Sequence, residues 1–209
     1  MSDSARIRAE LLRVTRRAYF QDRMFAATSG NLSIFDRERG VIYITPSSYP
    51  YEDMTEADMM AVDLDGNILE GPHRPSSEWR MHAAIYRGID RVNAIVHTHS
   101  PYATAFAING TPIPPALFEQ AYFIGGEIPV AARAIPGTPA VGENCVAALK
   151  DRNGCLMANH GALAVGATLA EAYTRAVYIE DAAKAYALAL AAGRPRIIPQ
   201  EEIDTYLNK

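Results

Sequence analysis

Residues 93–101 read NAIVHTHSP and join a buried strand, two histidines and the start of a helix. The apolar run before His97 predicts a strand over 93–99. Ser100 is a favourable N-cap and Pro101 suits a first helical turn, so a short helix is expected to begin there. Residues i and i+2 of a strand face the same side, so His97 and His99 could converge on one metal ion.

The rest of the chain places helices at both ends and strands between them. Apolar residues recur at helical spacing from Ile7 to Ala18, and a long C-terminal helix is capped by Thr168 with Glu171 and ended by Gly193. This pattern predicts one sheet covered by helices on its faces. Strands are expected at 31–35, 41–45, 60–64, 67–69, 155–159 and 162–165, and a further helix at 75–87.

Composition excludes several classes of protein. The 209 residues are 49% hydrophobic and 21% charged, with a net charge of −4. This length suits a single domain over 1–209, and the apolar fraction is too high for a disordered chain. The acidic balance gives no basic field for nucleic acid, and no apolar run is long enough for a membrane. We expect a cytoplasmic protein, because no signal-peptide core is present and the two cysteines are spaced for neither redox chemistry nor a disulfide framework.

A third histidine extends the candidate metal site. His160 lies at the end of a later predicted strand, and Gly161 after it would let the backbone bend so that the ring turns inward. Three neutral imidazoles leave a zinc ion an open coordination position, which is typical of a catalytic site. The alternative is that the histidines are packed or exposed side chains that share no ligand.

The segment that opens the 75–87 helix carries two hydroxyls and a carboxylate. Ser76 and Ser77 would lie beside unpaired backbone N–H groups, which suits a phosphate. Glu78 could be a metal ligand or a general base, and plain helix capping is the alternative. His82 could orient the glutamate, but we interpret it as a helix-packing histidine, and His73 as a solvated loop residue.

Two polar turns have the same character. Residues 28–31 read TSGN and lead into a strand, and residues 45–48 read TPSS and follow one. Hydroxyls and backbone donors at a turn can form an anion nest, although both compositions are also common in ordinary turns.

Together these motifs resemble the class II aldolase/adducin-head family, in its fuculose-phosphate aldolase branch. The resemblance covers about residues 6–193 and rests on five segments in the family's order and approximate spacing. These are Ser29-Gly30-Asn31, Thr45-Pro46-Ser47-Ser48, Ser76-Ser77-Glu78, His97-Thr98-His99 and Asn159-His160-Gly161.

The resemblance implies a fold and an assembly. The fold is a three-layer α/β/α sandwich with a central, largely antiparallel sheet, and the assembly is a homotetramer. It also implies a Zn²⁺ ion, or another divalent metal such as Mn²⁺ or Co²⁺, held by His97, His99 and His160. Glu78 would complete the site and act as acid and base. The substrate phosphate would be bound by Gly30, Asn31, Ser47, Ser48, Ser76 and Ser77.

The chain departs from this branch at the second proton carrier. The aldolases have a tyrosine from a neighbouring subunit at a position that falls on Phe118 or Glu119, depending on where counting starts. Tyr122 lies one helical turn further on. Glu119 or Tyr122 could take the role, or they could be a surface carboxylate and a packed aromatic ring. Tyr206 is a poor match for the tyrosine in the aldolase tail.

The resemblance favours zinc-dependent cleavage of a small ketose 1-phosphate, such as a fuculose or deoxypentulose phosphate. The products would be dihydroxyacetone phosphate and an aldehyde, formed through a metal-stabilised enediolate. A decarboxylase, a sugar-phosphate 4-epimerase or a dehydratase of the same superfamily is the alternative. A non-catalytic adducin-like module is a third hypothesis, which predicts that the metal ligands are lost.

Overall fold

The computed structural model describes residues 3–207, which form a mixed α/β fold. The strands are β1 (Asn31–Asp36), β2 (Val41–Ile44), β3 (Met60–Asp63), β4 (Ile68–Glu70), β5 (Ala94–Thr98), β6 (Val130–Ala131), β7 (Gly154–Met157) and β8 (Gly161–Gly166). The α-helices are α1 (Asp3–Arg16), α2 (Trp79–Gly88), α3 (Pro101–Asn109), α4 (Phe118–Ile124), α5 (Pro139–Leu149), α6 (Leu169–Ala192) and α7 (Gln200–Leu207). A π-helical turn, Arg17–Gln21, extends α1.

The eight strands form one sheet in the order β4-β3-β2-β1-β5-β8-β7-β6. Every pairing is antiparallel except that of β6 with β7. The predicted α/β fold with a largely antiparallel central sheet is therefore confirmed. The histidine-bearing strand β5 lies in the interior of the sheet, between β1 and β8.

Apolar side chains cover both faces of this sheet. On β5, Val96 belongs to the core formed with α1, α3 and α6, whereas Ile95 belongs to the core formed with α2 and α5. Residues of β8 alternate in the same way, with Ala164 on the first side and Leu163 on the second. Because both faces are covered, β5 reads as a continuous apolar run rather than an alternating one.

The helix expected from residue 75 begins only at Trp79, and the reason is a tertiary contact. The Ser76 N–H donates to the Thr45 carbonyl at 3.0 Å, and Pro46 and Pro75 form an antiparallel bridge. Pro75 and Ser76 are therefore held against the 45–48 turn instead of being helical, and Ser77 and Glu78 form a turn that leads into α2.

Two predicted caps are also modified. Ser100 makes no side-chain capping bond; instead the Glu180 carboxylate of α6 accepts the N–H groups of Tyr102 and Ala103 at the start of α3. Thr168 does cap α6 by accepting the Glu171 N–H, as expected, but the Glu171 carboxylate accepts from Ala167 rather than from the cap residue. Within the described residues, none of the helices has the length and apolar character that crossing a bilayer requires.

Close packing of α2 on α5 yields a stability prediction. A Cβ atom at Gly142 would lie 2.5 Å from Cβ of Ala84, so Gly142→Ala should destabilise the protein by about 1–3 kcal/mol through overpacking. Thermal unfolding should show a melting temperature lower by roughly 2–4 °C per kcal/mol. Glu143→Ala, at an exposed position of the same helix, is the matched control, and an equal melting temperature for both variants would contradict the packing argument.

Candidate metal centre

The three predicted metal-binding histidines meet where β5, the β7–β8 turn and the start of α2 come together. His97 is fully buried on β5, on the face covered by α2, and pairs with Asn31 of β1 and Leu163 of β8. His99 is the first residue after β5. Its N–H donates to the Met24 carbonyl at 3.1 Å instead of to a neighbouring strand. His160 lies in the turn between β7 and β8.

The side-chain nitrogens of these histidines are close enough to share an ion. Nε2 of His97 lies 3.1 Å from Nε2 of His99, and the three candidate ligand atoms lie within 4.8 Å of one another. Tetrahedral zinc with bonds of about 2.0–2.1 Å needs ligand atoms roughly 3.3 Å apart. The spacing between His97 and His99 already meets this requirement.

Backbone contacts hold the rings in a suitable orientation. Nδ1 of His97 lies 2.9 Å from the Ala162 carbonyl and donates to it, so Nε2 is the ring nitrogen that faces the cluster. Gly161 was expected to let the backbone bend, but its role is to let the start of β8 lie close to β5. A Cβ atom at this position would lie 2.3 Å from the Thr98 carbonyl oxygen. The left-handed residue of this turn is Asn159, with φ of 58°.

Glu78 points into the cluster instead of capping its helix. It occupies the N-cap position of α2 without forming a side-chain capping bond. Its Oε2 lies 3.2 Å from Nε2 of His97 and accepts a 2.8 Å hydrogen bond from the Asn31 amide. Its Oε1 lies 3.3 Å from Nε2 of His160, yet it is buried and has no hydrogen-bond partner among residues 3–207.

The charges of the cluster are strongly coupled. Burial alone would raise the pKa of Glu78, but the charge and hydrogen bond of His97, the charge of His160 and the Asn31 amide hold it below its ordinary value. Burial and the neighbouring rings lower the pKa of His99 to about 4 and also lower that of His160. Burial disfavours charge on His97 too, but Glu78 outweighs it and raises the pKa of that histidine.

These features fit a divalent cation. Three imidazoles and a carboxylate are nitrogen and oxygen ligands of the kind that zinc accepts, and the partnerless Oε1 of Glu78 faces the cluster. A cation bound by the three histidines would stabilise the buried Glu78 carboxylate, which without it is stabilised by positive charge on His97.

The predicted phosphate-binding residues lie on turns that surround Glu78. The Ser47 N–H donates to the Arg74 carbonyl at 2.9 Å, which places the 45–48 turn against the segment leading into Glu78. Ser48, with φ of 55°, and Ser77 are exposed. The hydroxyl of Ser76 is buried and accepts the Glu78 N–H at 3.3 Å, so it is already engaged.

Gly30 and Asn31 are tied directly to the metal cluster. Gly30 has φ of 80°, and a Cβ atom there would lie 2.5 Å from the Phe25 ring and 3.0 Å from the His97 carbonyl oxygen. The Asn31 amide already donates to Glu78 and accepts from His82. The structure thus gives Asn31 a contact with the candidate acid/base in addition to its predicted place near a phosphate.

The two candidates for the second proton carrier lie elsewhere in the chain. Glu119 and Tyr122 are exposed on α4, where Tyr122 packs against Phe123 and Tyr206. No hydrogen bond, ion pair or ring contact within residues 3–207 joins either side chain to Glu78 or to the histidine cluster.

One interpretation of a histidine is wrong and another is incomplete. His73 is not a solvated loop residue: it is half-buried, its Nε2 lies 2.7 Å from Asp58, and its ring packs on Tyr49. His82 does more than pack its helix, because it bonds Asn31 and also Ser33. The sequence contained a signal for the partners of His82, since Asn31 and Ser33 are alternate polar residues on a strand that is otherwise mainly apolar.

Comparisons with known proteins agree with this arrangement. The sequence profile described as "Class II Aldolase and Adducin N-terminal domain" matches residues 9–187. A 5-deoxy-D-ribulose 1-phosphate aldolase from Bacillus thuringiensis is 36% identical over 182 residues, covering 87% of this chain and 85% of that protein. A 5-methylthioribulose-1-phosphate/5-deoxyribulose-1-phosphate aldolase from Rhodospirillum rubrum is 38% identical over 182 residues, covering 87% and 81%. A solved L-fuculose 1-phosphate aldolase has a TM-score of 0.93 and 35% identity, covering 100% of this chain and 96% of that one.

The chain belongs to the class II aldolase and adducin family. Its relatives are aldolases, which are carbon–carbon lyases, and this chain is an enzyme of the same class. Metal dependence is a property of class II aldolases, and His97, His99 and His160 form a site that can hold the ion.

Removing one histidine should weaken metal binding. His97→Ala leaves His99, His160 and the Glu78 carboxylate without the buried central imidazole, so we expect the bound divalent metal to fall well below the wild-type level in elemental analysis of protein purified without chelators. His73→Ala is the matched control, because His73 bonds Asp58 and is not one of the three clustered histidines. Metal retention by His97→Ala at the level of His73→Ala would refute the site.

Proposed function

We propose that this protein is a zinc-dependent class II aldolase that cleaves a small ketose 1-phosphate to dihydroxyacetone phosphate and an aldehyde. The observation that carries the proposal is the convergence of His97, His99 and His160 beside the free carboxylate oxygen of Glu78. The names of the relatives support a sugar phosphate as substrate.

In this proposal His97, His99 and His160 hold the ion. When bound, the ion acts as a Lewis acid that stabilises the negative charge of the enediolate left by cleavage of the carbon–carbon bond. The ligand types admit Mn²⁺ or Co²⁺ as well as Zn²⁺.

The turns around Glu78 bind the phosphate locally. Backbone N–H groups or hydroxyls are offered by the exposed or partly exposed residues Gly30, Ser47, Ser48 and Ser77. Asn31 and Ser76 are buried beside them. Such donors suffice for an anion at short range, whereas the net charge of −4 gives no long-range attraction. The same acidic balance argues against nucleic acid as a partner.

Glu78 moves the proton at carbon. In the cleavage direction its carboxyl group gives a proton to the enediolate carbon, and in the reverse direction its carboxylate removes that proton from dihydroxyacetone phosphate. Oε1 is the oxygen for this exchange, because Oε2 is already bonded to Asn31.

The proton of the substrate hydroxyl requires a second carrier, for which we retain Glu119 or Tyr122. Both side chains are exposed on α4, so they would act on the site of a neighbouring copy in the expected homotetramer. We further propose a cytoplasmic location, in keeping with a phosphorylated metabolite as substrate.

A substrate panel tests the reaction. Purified, metal-loaded protein is incubated with L-fuculose 1-phosphate, 5-deoxyribulose 1-phosphate, their unphosphorylated forms and hydroxy-acids. Release of dihydroxyacetone phosphate from at least one ketose 1-phosphate is expected, with no cleavage of the unphosphorylated sugars to dihydroxyacetone. Release of CO₂ from a hydroxy-acid, or epimerisation at C4 without cleavage, would instead support the other reactions of the superfamily.

Replacing the acid/base without changing its shape separates its two possible roles. Glu78→Gln should keep the metal, because three histidines remain, but lower kcat on the order of 10²–10⁴-fold, since the amide cannot exchange a proton at carbon. Elemental analysis and steady-state kinetics on the same preparation provide both readouts. Loss of the metal from Glu78→Gln would show that the carboxylate acts mainly as a ligand.

A further inference from the structure

A continuous line of buried hydrogen bonds leads from Tyr86, near the C-terminal end of α2, to Glu78 at the start of that helix. Tyr86 Oη lies 2.6 Å from Ser33 Oγ, which lies 2.6 Å from Nδ1 of His82. Nε2 of His82 lies 2.5 Å from Oδ1 of Asn31, whose Nδ2 donates to Glu78 at 2.8 Å. All five residues are at most 6% exposed, so the line is almost completely shielded from bulk water.

Glu78, at one end of this line, determines which atom donates and which accepts in every hydrogen bond of the line. An ionised Glu78 only accepts, so the NH₂ group of Asn31 faces it and the amide oxygen faces His82. That oxygen accepts, so Nε2 of His82 carries the ring proton. Burial lowers the pKa of His82 to about 3 despite the opposing charge of Glu78, and the ring is therefore neutral.

A neutral ring protonated at Nε2 has a lone pair at Nδ1. Ser33 donates its hydroxyl proton there and accepts from Tyr86 in turn, so each polar atom of the line has one matching partner. The opposite tautomer of His82 would match the NH₂ group of Asn31 instead. The amide would then turn its oxygen toward Glu78, and two acceptors would face each other.

We propose that His82 is a positioning residue: its Nε2–H holds the Asn31 amide in the orientation that fixes Glu78 Oε2 and leaves Oε1 free for the proton exchange with substrate. The inference rests on the proposed function, because it assigns His82 to the carboxylate that moves the proton at carbon.

The cost of burying such a line argues against a merely structural role. Apolar side chains of similar shape would fill the space between α2 and β1 without any polar group to satisfy. The line ends on Glu78, the carboxylate that lies against His97 and His160. The neighbouring side chains of α2 and α5 that pack on the same face of the sheet form an apolar cluster.

Kinetics of His82→Phe test the assignment. Phenylalanine keeps a ring of similar size but can neither donate to Asn31 nor accept from Ser33. We expect kcat to fall on the order of ten- to hundredfold, the usual effect of removing a group that orients a site residue. KM should change by less than about threefold, because the exposed parts of the phosphate-binding turns are untouched. Metal content should stay at the wild-type level.

Two further variants separate positioning from packing. Glutamine has an NH₂ group that can donate to Asn31 and a carbonyl oxygen that can accept from Ser33, so His82→Gln should recover part of the kcat that His82→Phe loses. Ile85→Val, at a buried apolar position of the same helix, serves as the control for loss of stability and should retain wild-type kcat. The proposal is overturned if His82→Phe loses no more kcat than Ile85→Val, or if His82→Gln is as slow as His82→Phe.

The tautomer can be measured without any activity. In metal-free protein with ¹⁵N-labelled histidine, the resonances of His82, assigned by their absence from His82→Gln, should show a neutral ring protonated at Nε2. A ring protonated at Nδ1 would overturn the proposal. If wild-type protein cleaves none of the ketose phosphates, the proposed function fails, and this spectrum still decides whether the hydrogen bonds run toward Glu78.

Discussion

The pairing of β1 with β5 is the constraint on which the site depends. Its register puts Asn31 opposite His97, with both side chains on the face covered by α2. Glu78 can then contact both residues at once, at 2.8 Å and 3.2 Å. A slip of one residue would turn either side chain to the opposite face and separate the carboxylate from its partners. The eight-stranded sheet is thus also the frame that sets the metal centre.

Burial makes this centre chemically asymmetric. One oxygen of Glu78 is held by an amide that is itself held by His82, while the other has no hydrogen-bond partner among the described residues. In a low-dielectric interior such a difference matters more than it would in water, because an unpaired charge has no solvent to stabilise it. A cation on the three histidines and a proton on Oε1 are two complementary ways to satisfy that charge.

Local patterns predicted much of this. The sheet covered by helices, the long capped helix and the pair His97 and His99 were accessible from periodicity and spacing, because these signals lie within short windows of sequence. Adding His160 to that pair rested on the family resemblance, since it lies far along the chain. The start of α2 was not accessible in this way, since Pro75 and Ser76 are held by the 45–48 turn instead of forming the first turn of the helix. Ser33 was missed, and His82 was interpreted as a packing residue, because the partners of each are about fifty residues away.

The sequence by itself determined the family, the enzyme class and the identities of the candidate metal ligands, because residue types and order carry that information. Only the tertiary structure decided which atoms meet. It showed that Glu78 turns away from its helix toward the histidines, that Gly161 is needed for close approach to β5, and that Glu119 and Tyr122 contact neither Glu78 nor the histidines of their own chain. These outcomes depend on strand register and on packing between distant segments, which no local pattern encodes.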